Sequence, residues 1–144
     1  MLFNPTKDQV RQFFCSVWQK YNARTPLVGA EIAAADIVGK HPEYHALLAD
    51  ETSALEKEWR PEGGEMNPFL HLSLHLAIHE QVSINQPAGI TAAYDRLRAR
   101  HDAHQAEHIL LECLAETIWK AQRNGGGMDA EAYIESIKRR ESQT

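Results

Sequence analysis

The sequence predicts an all-α protein: a single-domain helical bundle with two central helices that carry His/Glu stripes. Three observations predict it. Apolar residues recur at three- and four-residue spacing through most of the chain. Asn-Pro, Thr-Pro and Gly-rich steps punctuate these runs where helices start and stop. No segment shows the strict apolar/polar alternation of a half-buried strand. The 144 residues suit one domain spanning 1–144, and the charged fraction of 24% is that of a folding chain.

The first helix, about 5–23, places Val10, Phe13, Phe14, Val17, Trp18 and Tyr21 on one face, with Asn4-Pro5 as its start signal. Its aromatic residues are available to cover the bundle or to pair with a second copy in a homodimer. A second helix is expected over about 27–39 after Thr25-Pro26. A third follows His41-Pro42 to about Asp50, and a further turn runs from Ser53 to Glu56, a capping-box spacing. Gly63-Gly64 predicts open loop. Asn67-Pro68 opens a helix to about Ile84, and another covers about 88–100. Asp102 caps the next, about 103–123, which stops at Asn124 and Gly125–Gly127. The last helix covers about 129–140, with a basic, frayed tail over 138–144.

Fifteen Lys and Arg stand against twenty Asp and Glu, a net charge of −5. That balance argues against nucleic acid, whose binding needs a basic surface. No apolar run reaches the length of a membrane span. The N-terminus lacks a secretory pattern, so a cytoplasmic location is expected. Cys15 and Cys113 form neither a disulfide framework nor a metal clip, and both sit among apolar neighbours as core residues.

The unusual feature is eight His in so short a chain. In the 68–84 helix, His71 and His75 lie one turn apart, about 6 Å along the axis, in a segment that is otherwise almost wholly apolar. In the 103–123 helix, His104, His108, Glu112 and Glu116 step by four, while Ile109 to Trp119 supply apolar residues on the other faces, with Trp119 read as core. A buried carboxylate needs a cation, a protonated His or a metal. The economical arrangement packs this stripe against His71 and His75. The HPEYH segment offers His41 and His45 to close one end; His45 joins the candidate ligands, while the role of His41 stays open. His79 and His101 fall near solvent-facing ends and read as structural.

Imidazole nitrogen and carboxylate oxygen are the ligand set of zinc, iron, manganese or nickel. His45, His71, His75, His104, His108, Glu112 and Glu116 are therefore the candidate ligands. His71, His75, His108 and Glu112 lead, and the others supply a second metal or an outer shell. Carboxylates among imidazoles favour iron or manganese, as a pair with oxygen or redox chemistry; zinc is the alternative metal. The rival reading is a non-catalytic interaction module whose His–Glu stripe is a buried network that sets helix register. No HExxH and no Glu-x-x-His occurs, which excludes zincin-type and ferritin-like patterns. The substrate is not legible.

Over nearly its whole length the chain resembles a small proteobacterial family of unknown function. The matching strings are FNPTKDQVRQFF, HPEYH, NPFLHLSLHLAI, INQPAGI and the H-x-x-x-H-x-x-x-E-C-L-x-E-x-x-W run at 104–119. The resemblance covers His41, His45, His71, His75, His104, His108 and Glu116. It implies no reaction.

Overall fold

The structure, a computed structural model, describes residues 6–59 and 66–143. Among them are eight α-helices and no strand: α1 Lys7–Asn22, α2 Ala30–Gly39, α3 His45–Ala49, α4 Glu51–Glu56, α5 Pro68–Ile84, α6 Ile90–Arg98, α7 Ala103–Asn124 and α8 Ala130–Gln143. A single 3-10 turn, Pro42–Tyr44, leads into α3. The all-α expectation therefore holds. The Asn4-Pro5 start and the Gly63-Gly64 loop lie outside the described residues. The chain divides into two compact units, Met1–Leu76 and Ala77–Thr144.

In the first unit α1 packs against α2, α3 and α4. Its core holds Phe14, Val17, Trp18, Ile37, Val38, Leu48, Phe69 and Leu72, the apolar faces that the three- and four-residue spacing marks. The start of α1 is set by Thr6, whose hydroxyl accepts from Gln9 N while the Gln9 side chain accepts from Thr6 N. Helix α2 begins later than Thr25-Pro26 predicts. Gly29 turns the chain at φ +57°, so the first helical residue is Ala30. The capping box expected at Ser53 is displaced by one element end: Asp50 caps α4 by accepting from Ser53 N.

Arg11 holds this unit together from inside. It is buried, and its Nη1 donates to the carbonyls of Ala54 (2.9 Å) and Lys57 (2.7 Å) at the end of α4. Its guanidinium lies over the rings of Trp59 and Phe69, at 5.1 and 5.3 Å. The cation thus meets the carbonyls that a helix end leaves without intrahelical donors.

In the second unit α6, α7 and α8 pack pairwise. Buried residues include Ile90, Leu97, Leu110, Leu114, Tyr133 and Ile137. The Tyr133 hydroxyl donates to Gln81 Oε1 at 2.7 Å, which satisfies a fully buried phenol. Asp102 caps α7 as expected, accepting from Gln105 N at 2.8 Å, and Gly125 ends it at φ +70°. Two expectations are corrected here. The tail from Lys138 does not fray at 138, because α8 continues to Gln143. Arg96 clamps Glu141 through two bonds of 2.8 and 2.9 Å, and Arg140 bonds Glu112, so the last turns are tied down. Trp119 is not core: it is 54% exposed, with the Arg123 guanidinium 4.6 Å over its ring.

Candidate metal centre

The site is built where α2 ends and α5 begins its buried run. Helix α2 has no basic residue in its last turn. Two imidazoles join the backbone amides of Lys40 and His41 at its last carbonyls. His41 Nδ1 donates to Ile37 O and His45 Nε2 donates to Val38 O, each at 2.8 Å. Because a carbonyl can only accept, the His41 bond places a proton on Nδ1. That leaves Nε2 as the nitrogen through which His41 would bind a metal. A ring held by its far nitrogen on a backbone carbonyl is the usual orientation of a metal-binding His.

His71 and His75 lie one turn apart on α5, and their Nε2 atoms are 3.0 Å apart. Two imidazole nitrogens bound to one tetrahedral zinc would lie roughly 3.3 Å apart. Ring centroids are 5.0 Å from His41 to His71, 4.8 Å from His41 to His75, and 4.7 Å between His71 and His75. Ligand nitrogens of the three residues lie within 4.8 Å of one another. His41 and His75 are 3% and 1% exposed, and His71 is half-buried. Such a buried cluster can hold a metal ion. Tyr44 flanks it, stacked at 5.6 Å on His41 and edge-on at 6.1 Å to His71. Burial, with Glu43 adding, holds the Tyr44 phenol above its usual range.

The other candidates lie in different settings. His45 Nε2 donates to Val38 O at the end of α2, and its ring stacks on Trp18 at 4.1 Å. His104 and His108 are both half-buried on α7, with ring centroids 4.2 Å apart. Glu112 and Glu116 are not the buried carboxylates that the sequence predicts. Glu112 is exposed and bonds Arg140 at 2.7 Å, and Glu116 is exposed and bonds Lys120 at 2.9 Å. The Lys120 hydrogen bond holds the Glu116 carboxyl below its ordinary range. The physical reason is drift. A four-residue step turns about 40° beyond a full revolution, so a stripe from 104 to 116 rotates about 120° around the helix.

The buried carboxylate of α7 is Glu107, whose Oε1 lies 3.3 Å from His79 Nε2. A sequence signal existed, because Glu107 stands on the apolar repeat of Ala106, Leu110, Leu111 and Leu114. His79, read as structural, is Glu107's partner. The sequence leaves the role of His41 open, and its position at the end of α2 sets it beside His71 and His75. Cys15 offers no thiolate, since burial, with Glu51 and Asp50 adding, pushes its thiol up to about 11. Burial likewise raises the Cys113 thiol.

The molecule is thus an all-α protein with a buried imidazole cluster. The chain belongs to the family described as a domain of unknown function, DUF1841, whose model matches residues 6–139. This agrees with the resemblance drawn from its sequence strings. No curated protein and no solved structure gave a significant match. No helix among the described residues is long and apolar enough to cross a membrane.

Proposed function

We propose that this protein binds a single transition-metal ion through His41, His71 and His75. The observation that carries the reading is the His41 tautomer. Its Nδ1–H donates to Ile37 O, and its ring lies 5.0 Å from that of His71 and 4.8 Å from that of His75.

The donor set bears on the metal. Imidazoles suit zinc, copper, nickel and iron. The carboxylates that would bridge an iron or manganese pair, Glu112 and Glu116, are engaged with Arg140 and Lys120. We therefore infer a mononuclear site of the zinc type in place of the di-iron or di-manganese pair. Elemental analysis of protein prepared without chelator tests the reading. About one ion per chain is expected. Less than about 0.2 per chain, with no uptake of added zinc, iron or copper, overturns it.

One observation favours a second reading. His71 Nε2 and His75 Nε2, 3.0 Å apart, can share a proton as a hydrogen bond. The cluster then serves as a buried polar network that fixes how α5 packs, and the protein is an interaction module. Chelation separates the two. A metal bound only by the native state adds stability, so its removal lowers the melting temperature, whereas the network is indifferent to chelator.

A further inference from the structure

A cavity of about 320 Å³ lies between the end of α7 and the start of α8, within the second unit. The two helices pack against each other, and a connection as short as 125–129 returns the chain antiparallel. The volume falls at the small end of ligand sites. None of the lining residues belongs to the imidazole cluster.

The polar groups are sorted along the cavity. At one end it is lined by Glu116, Lys120 and Arg139. Lys120 bonds Glu116 at 2.9 Å, and after Lys120 the Arg139 charge helps to hold the Glu116 carboxyl below its ordinary range. Two cations and one carboxylate leave this end positive. At the other end, beside the turn, stand Asn124 and Asp129. Asp129 caps α8 through Oδ1, which accepts from Ala132 N at 3.1 Å, and a carboxylate has lone pairs for further donors. This end is negative.

The floor carries two buried hydroxyls, those of Thr117 and Ser136. Thr117 donates to Cys113 O at 2.7 Å, so its oxygen can only accept from a ligand. Ser136 bonds the Cys113 thiol. With Glu116 and Asp129 set against Lys120 and Arg139, the whole cavity has no net charge. It therefore gives little attraction to a lone ion of either sign, and it matches a molecule that is itself charged oppositely at its two ends. Helix α7 rises about 6 Å from Lys120 to Asn124 and about 12 Å from Glu116 to Asn124.

We propose that the α7–α8 cavity binds a small extended zwitterion, with a carboxylate at Arg139 and Lys120 and a primary ammonium group at Asp129. Short unblocked peptides and ω-amino acids share this chemistry. The Arg139 guanidinium is the planar fork that pairs a carboxylate through two bonds. The exposed Lys120–Glu116 pair is weak enough to be exchanged for the ligand.

The full chain is titrated with ε-aminocaproate and, separately, with trialanine, while its two-dimensional amide NMR spectrum is followed. The expected result is saturation at one ligand per chain with a Kd of about 1 mM or tighter for at least one of them. The shifts should centre on the 124–132 and 136–139 amides, and the tighter ligand tells ω-amino acids from peptides. Hexanoate and hexylamine, each with one charge, should bind at least about 10-fold more weakly than ε-aminocaproate, a difference of about 1.4 kcal/mol. Arg139→Gln and Asp129→Asn should each weaken binding by a similar factor. Asn caps a helix as well as Asp, so the second variant keeps the start of α8. Absence of saturable shifts with both zwitterions overturns the proposal. So does hexanoate or hexylamine binding as tightly as ε-aminocaproate, or full affinity in both variants.

Discussion

His71 and His75 on α5 share their spacing with Glu112 and Glu116 on α7, four residues apart on a long helix with apolar neighbours. Their surroundings are opposite. His75 is buried, with His71 at its Nε2 and His41 beside both. Glu112 and Glu116 stand in solvent with Arg140 and Lys120. The difference lies in what each helix face meets. The end of α2 brings an anchored imidazole to His71 and His75, which adds a third donor of the same kind. The face of α7 that holds Glu112 meets a guanidinium of α8, which satisfies the carboxylate at the surface. Equal spacing therefore marks equal geometry along a helix, and the neighbouring element decides the chemistry.

The largest expected effect separates these regions directly. His75→Ala should reduce metal affinity by well over about 100-fold, since even outer-shell losses cost roughly 10- to 100-fold. His75→Gln, closer in volume, checks that the loss is not a folding failure. The measurement is a competition titration with a chromophoric chelator, and unchanged affinity in both variants would break the contrast. Glu112→Gln and Glu116→Gln should leave metal stoichiometry at the wild-type value. Loss of metal from either would return the α7 carboxylates to the site.

Next in size is a contrast between two arginines. Arg11→Ala removes a buried cation from the carbonyls of Ala54 and Lys57 and from two aromatic faces. It should cost about 3 kcal/mol in urea unfolding. Arg140→Ala removes a partner of an exposed carboxylate and should cost under about 1 kcal/mol. Similar losses from the two would mean that burial does not set their weight.

The smallest effect is in pH. The Lys20 hydrogen bond, with the Val28 amide, holds the Glu31 carboxyl below its ordinary range. A depressed folded pKa means that its stabilisation is complete above the unfolded value, about 4.3, and is lost as pH falls through the folded one. Glu31→Gln should therefore lower the melting temperature slightly at neutral pH, where the ion pair is intact, and flatten the acid limb below about pH 4.5, where the two proteins converge. A profile that keeps its full acid slope counts against the ion pair.

Periodicity and punctuation alone determined the helical class, most helix spans, the Asp102 cap and the Gly125 stop, because these follow from local backbone preferences and from apolar faces seeking a core. The sequence also marked His71 and His75 as a pair, since one helical turn suffices to bring them together. Tertiary structure alone decided the rest. It assigned His41 its place beside them and set His45 at the end of α2, where both rings reach backbone carbonyls far along the chain from α5. It sent Glu112 and Glu116 to the surface and left Glu107 inside with His79, because four-residue steps drift around a helix and only the packed neighbours show where the drift meets water.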